Sequence, residues 1–133
     1  MTELLGVHHV ALTVRDCDAS AAWYASVLGF QVVFREDGDG RRACILRSPD
    51  GSIVVGVGEH DDGDHQPFDP RRLGLDHLAL TVGSRAALDE WAQRLTDAGV
   101  AHSGAIDVPI GAILNFKDPD GLALALFWDL DQQ

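Results

Sequence analysis

The 133-residue sequence repeats itself, and that repeat limits how the chain can fold more than any other feature. Gly6-Val7-His8-His9-Val10-Ala11-Leu12-Thr13-Val14 is matched by Gly74-Leu75-Asp76-His77-Leu78-Ala79-Leu80-Thr81-Val82, which sets His9 and His77 68 positions apart. Trp23 and Trp91 keep that spacing. Leu28-Gly29-Phe30 against Ala98-Gly99-Val100, and Pro49-Asp50-Gly51 against Pro119-Asp120-Gly121, are 70 apart, so two residues were gained in one copy. A repeat this short is one supersecondary module that cannot bury its own apolar face, so two must share burial. Between the copies, residues 59–73 carry five acids (Glu59, Asp61, Asp62, Asp64, Asp69) with Pro67 and Pro70 and read as an exposed linker. The length suits one domain over residues 1–133, with modules at 1–60 and 70–133.

Each module reads as βαβββ. Residues 7–14 and 75–82 are β-rich and end at capping residues. A helix follows in each copy. In the first, Asp18 is the expected cap, Trp23 and Val27 share a face, and Gly29 ends the helix. In the second, Ser84 caps, Leu88, Trp91, Ala92, Leu95 and Ala98 form a stripe, and Gly99 supplies the left-handed stop. Three β-prone segments then follow, at 31–35, 42–47 and 53–57, and at 101–106, 113–117 and 122–128, with Pro-Asp-Gly turns introducing the last of each set. The expected class is α+β, two modules forming a cupped, barrel-like mixed sheet with helices outside.

Strand alternation separates two faces. Val7, His9, Ala11 and Thr13 share one, while His8, Val10, Leu12 and Val14 share the apolar one that should pack the helix. By the repeat, His77 and Thr81 share the first kind of face. In the last strand Leu122, Leu124, Leu126 and Trp128 take the helix side, leaving Ala123, Ala125 and Phe127 to line the cup with room for a small molecule. Ten Lys and Arg against twenty-one Asp and Glu give a net charge of −11, which opposes nucleic acid and anionic membranes and favours cationic ligands on encounter. The longest apolar run, residues 122–128, falls far short of the ~20 residues of a spanning helix. Met1-Thr2-Glu3 lacks a basic signal-peptide start, so a cytoplasmic protein is expected. Cys17 and Cys44 make no C-x-x-C, are expected to stay reduced, and do not stand out as nucleophiles. Nucleotide-binding loops and Ser-His-Asp order are absent.

The strand at residues 7–14, the helix end Trp23-Tyr24 to Val27-Leu28-Gly29-Phe30, the strand around Asp76-His77-Leu78-Ala79-Leu80 and the turn Asp118-Pro119-Asp120-Gly121 together resemble the vicinal oxygen chelate superfamily. That superfamily includes glyoxalase I, bleomycin-resistance proteins, fosfomycin-resistance enzymes and extradiol dioxygenases. The resemblance covers nearly the whole chain and implies paired βαβββ modules, a homodimer, and a divalent ion such as zinc, manganese, iron or nickel. Its first-strand metal ligands map onto His9 and His77. The last-strand glutamate, four residues past the glycine of Asp-Pro-Asp-Gly, maps onto Ala125, and its first-module counterpart onto Val55; both are apolar.

Two readings follow. In the first, the protein binds a small oxygenated or cationic organic molecule in a cupped pocket lined by His9, Thr13, Val55, His77, Thr81, Ala125 and Phe127, with an incomplete metal site. In the second, it is a divalent-metal-dependent lyase, isomerase or dioxygenase in which His9, His77 and a third ligand such as Glu36, Glu59 or His102 hold the ion. His8, His60, His65 and Tyr24 are expected to fill, solvate or pack, and Asp118 and Asp120 to form the turn.

Overall fold

The computed structural model describes residues 2–131. The chain divides into two compact units with the boundary between Gln66 and Pro67. The first contains β1 (Val10–Thr13), α1 (Cys17–Leu28), β2 (Gln31–Gly38), β3 (Arg41–Arg47) and β4 (Val54–His60). The second contains β5 (Leu78–Thr81), α2 (Arg85–Asp97), β6 (His102–Val108), β7 (Gly111–Lys117) and β8 (Ala123–Asp129). Both are βαβββ. The strands form two four-stranded mixed sheets, ordered β1-β4-β3-β2 and β5-β8-β7-β6. In each, the first strand runs parallel to the last while the other pairs are antiparallel.

Local chemistry sets the element ends. Asp16, not Asp18, caps α1: its backbone is extended and its side chain accepts from the Ala19 N–H. Asp18 falls inside the first turn, where its charge faces the positive helix end and pairs with Arg35. Gly29 stops the helix at φ 79°, a left-handed conformation that suits glycine. Ser84 caps α2 through the Ala87 N–H, and Gly99 follows the helix at φ 74°. The helices bury different amounts: α1 sinks Cys17, Ser20, Ala21, Tyr24, Val27 and Leu28, whereas α2 sinks only Leu88 and Leu95. On α2 the Trp91 ring stays partly open under the Arg94 guanidinium, 4.5 Å from its centroid.

The first strands start later than the β-rich runs, at Val10 and Leu78, because each has a single ladder partner and the pairing begins at Val10↔Val55 and Leu78↔Leu124. The acidic linker is shorter than expected. Glu59 and His60 belong to β4, and Phe68 N–H donates to the Asp120 carbonyl at 3.0 Å within the second unit.

The two last strands are entered differently. Ser48 N–H reaches the Ile53 carbonyl (2.9 Å), whereas Asp118 N–H reaches the Leu122 carbonyl (3.0 Å), so the first turn holds one more residue. The ladders agree: Arg47 pairs with Val54, but Lys117 pairs with Ala123.

Candidate functional site

Paired residues in a sheet point to the same side. Leu12 pairs with Val57, and Val57 with Cys44, on the side that carries α1. The other side of the first sheet holds the rows Ala11, Gly56, Ile45, Phe34 and Thr13, Gly58, Ala43, Glu36. In the second sheet, Leu80, Leu126 and Leu114 face α2, and the open side holds Ala79, Ala125, Asn115 and Thr81, Phe127, Ile113.

Thr13, Thr81, Ala125 and Phe127 therefore stand on the open sides of their sheets. Val55 does not. It pairs with Val10 and Leu46 and belongs to the helix side, because the extra residue between Ser48 and Ile53 shifts the strand by one. The residue paired with Ala11 as Ala125 is paired with Ala79 is Gly56. Gly56 and Gly58 were within reach of the sequence, since glycine inside a strand marks a close approach. A Cβ on Gly56 would lie 3.3 Å from Ile45 Cδ1, and one on Gly58 would lie 3.1 Å from an Arg41 guanidinium nitrogen. Arg41 thus lays its charge across the open face.

His9 and His77 are exposed, one residue ahead of β1 and β5. In each ring Nδ1 is engaged: His9 Nδ1 lies 2.8 Å from His8 Nδ1, and His77 Nδ1–H donates to Asp76 Oδ1 at 2.7 Å. The Asp76 bond fixes the His77 tautomer and presents Nε2 as an acceptor.

Alanine at 125 and glycine at 56 have no donor atom, so the donor set present does not fit a three-ligand family metal centre. None of the three substitutes for the missing ligand completes it. Glu59 faces α1: its Oε1 accepts from Cys17 N–H (2.9 Å) and its Oε2 from Arg42 (2.5 Å), which together hold its carboxyl below the ordinary range. In effect it is a helix cap, 42 residues away in sequence. His102 is used at both nitrogens: Nδ1 accepts from Gly104 N–H (3.0 Å) and Nε2 donates to Thr96 Oγ1 (2.7 Å). Glu36 is on the open face but three strands from β1, about 14 Å at ~4.8 Å per strand, too far to share an ion with His9.

Elsewhere, Asp118 Oδ1 accepts from the N–H groups of Asp120 and Leu122 (both 2.9 Å), which holds the turn. Tyr24 is buried against Trp23 and Phe30. Among the described residues, the three-donor group with ligand atoms within 4.8 Å of one another is Cys17, Asp18 and Cys44, and it contains no histidine.

Residues 6–126 match the family described as the Glyoxalase/Bleomycin resistance protein/Dioxygenase superfamily. The chain is 33% identical to YwkD of Bacillus subtilis (strain 168) over 129 residues, covering 93% of this chain and 97% of that protein. A crystal structure of a glyoxylase/bleomycin resistance protein/dioxygenase domain from Frankia sp. EAN1pec is 39% identical and superposes with a TM-score of 0.89 over 96% of this chain and 99% of that one. The fosfomycin resistance protein FosX from Listeria monocytogenes, crystallised with Mn(II) and sulfate, shares the fold at 18% identity, with a TM-score of 0.67 over 95% and 93% of the two chains.

Proposed function

The chain belongs to the Glyoxalase/Bleomycin resistance protein/Dioxygenase superfamily, and from that premise we propose that it binds a small oxygenated organic molecule without a family-type metal centre. The proposed contacts stand on the open face of each unit: Thr13 with His9 ahead of its strand in the first, and Thr81 and Phe127 with His77 ahead of its strand in the second, where Ala125 leaves space. The imidazole Nε2 atoms and threonine hydroxyls hydrogen-bond the ligand, and Phe127 covers its apolar part. The observation that supports this reading is the donor deficit at Ala125, with Glu59 and His102 already committed and Glu36 out of reach. The net charge of −11 draws cationic ligands to the surface, while Arg41 on the open face favours an oxygen-bearing group at close range.

Calorimetry on chelator-treated protein tests this with bleomycin and catechol as probes. Binding of at least one probe in the presence of chelator, lost in His77→Ala, is the expected result. Binding that requires added Mn(II) would overturn it.

One observation favours the second reading, a divalent-metal-dependent lyase, isomerase or dioxygenase: a carboxylate orienting His77 Nδ1 is what metal-ligating histidines have. It requires a third donor, supplied by ligand or solvent. A homodimer is part of the proposal, supported by the fully exposed edge strand β2, which carries Val32, Val33 and Phe34. Sedimentation at micromolar concentration tests it, and a single species of 14.3 kDa would contradict it. No helix among the described residues is long and apolar enough to cross a membrane, and a cytoplasmic location is likewise proposed.

A further inference from the structure

Cys17 and Cys44 are 27 residues apart in sequence, yet their sulfurs lie 3.6 Å from each other. Both are free thiols, 1% and 3% exposed. Cys17 opens α1 and Cys44 sits in β3, so the contact joins helix to sheet. Their surroundings differ. Cys17 Sγ faces the Val57 carbonyl at 3.5 Å, and burial, then the neighbouring Cys44, pushes its thiol up to about 12. Cys44 Sγ instead receives an N–H of the Arg35 guanidinium at 3.6 Å. That same nitrogen pairs with Asp18 Oδ1 at 2.6 Å, and both side chains are substantially exposed. A single layer, the Asp18–Arg35 pair, therefore separates the sulfurs from solvent.

We propose that Cys17 and Cys44 are a reversible oxidation site, closed to a disulfide by small hydroperoxides such as hydrogen peroxide. Cys44 attacks, because negative charge developing on its sulfur lies against Arg35. Its sulfur bonds one peroxide oxygen, the O–O bond breaks, and the hydroxide released takes up the Cys44 proton as water, leaving a sulfenic acid. Cys17 sulfur then attacks Cys44 sulfur, the S–O bond breaks, and the departing hydroxide takes the Cys17 proton as a second water. The thiols lose two electrons and two protons, and the peroxide is reduced to water. Closure needs the sulfurs to approach from 3.6 Å to about 2.05 Å, within reach of side-chain rotation and a small shift of the first turn of α1. Low-molecular-weight thiols reverse it by exchange.

The full chain, reduced and then treated with hydrogen peroxide, is denatured in N-ethylmaleimide and weighed. The reduced protein takes up two maleimides; the oxidised monomer is expected to take up none, to weigh two hydrogens less, and to regain both sites after dithiothreitol. Cys17→Ser should accumulate a dimedone-trappable sulfenic acid at Cys44, and Cys44→Ser should not do so at Cys17. Arg35→Ala should slow closure roughly tenfold. Two alkylatable thiols in folded, peroxide-treated wild type, or a disulfide that forms only between chains, would overturn the proposal. Trapping at Cys17 in place of Cys44 would overturn the assigned order of attack.

Discussion

The first and second modules repeat one plan but enter their last strands by different turns. In the second, one buried carboxylate, Asp118, bonds the N–H groups of Asp120 and Leu122 and starts β8 at once. In the first, Ser48 occupies that place. Its hydroxyl oxygen still accepts from the Ile53 N–H (3.0 Å) that enters the strand, and a second acceptor comes from Asp50, whose Oδ1 accepts from Ser48 Oγ (2.8 Å), Ser52 Oγ (2.8 Å) and Ser52 N–H (3.0 Å). The work of one carboxylate is divided between two side chains, and the turn holds one more residue before β4. Because side chains alternate across a strand, that residue exchanges which face each later residue occupies relative to the repeat. Val55 goes to the helix, and Gly56 takes the position that Ala125 has in the second module. A repeat conserved in plan can thus carry unrelated surfaces on its open faces, decided by one turn.

The strongest way to break this comparison is to place a carboxylate on each side of β4. Val55→Glu buries a charge against α1 and is expected to cost on the order of 3–5 kcal/mol, or to prevent folding, in urea denaturation. Gly56→Glu points to the open face, where only the flexible Ile45 tip must give way, and should cost well under half as much. The reverse order would show that the register is not as described.

The hairpins sharpen it next. A Cβ on Gly111, at φ 156°, would clash with the Trp128 carbonyl oxygen, so Gly111→Ala should cost about 3 kcal/mol. Gly40, which ends the corresponding hairpin of the first module at φ 72°, has nothing nearer than 4.0 Å, and Gly40→Ala should cost about 1 kcal/mol. Equal losses would remove this difference between the modules.

The turn acids come third. Asp118→Ala strands two N–H groups in a buried turn and should cost about 2 kcal/mol. Asp50→Ala, at an exposed site, should lower the melting temperature less. Asp50 also predicts a pH dependence. Ser52 N–H, the Ser52 hydroxyl and then the Ser48 hydroxyl hold its carboxyl down at about 2, against an ordinary value of 3.8. Its contribution is therefore complete above the unfolded value and is lost as pH falls through about 2. A melting temperature of Asp50→Ala that converges on wild type between pH 4 and pH 2 is the expected signature. A loss of under about 1 kcal/mol in stability, the smallest of the set, is expected from His102→Ala with no change in probe binding, since the ring holds Thr96 and Gly104 together.

The module plan, both helices and the faces of β1, β5 and β8 were legible because periodicity and the repeat acted on the same residues. The β4 face was not. Pro-Asp-Gly stands in both turns, and the length of each is set by whether Ser48 with Asp50 or Asp118 alone accepts the N–H groups, a difference that strand and helix periodicity do not register. Glu59 looked like linker charge because Asp61, Asp62 and Asp64 follow it, while its real partners, Cys17 N–H and Arg42, come from other elements. The Asp16 cap lay two residues before an equally good candidate. The Cys17–Cys44 contact carries no spacing signal, since it is made by the packing of α1 on β3, 27 residues apart in sequence.

The proposed reading turns on position 125, where alanine offers no donor atom to a metal ion. Its most direct test is calorimetric titration of chelator-treated wild type and Ala125→Glu with Mn(II) and Zn(II), each first shown to be folded by its thermal melt. The expected result is weak or undetectable binding to wild type and an affinity at least about a hundredfold higher in Ala125→Glu, abolished by adding His77→Ala. Tight, stoichiometric binding of either ion to wild type would contradict the account.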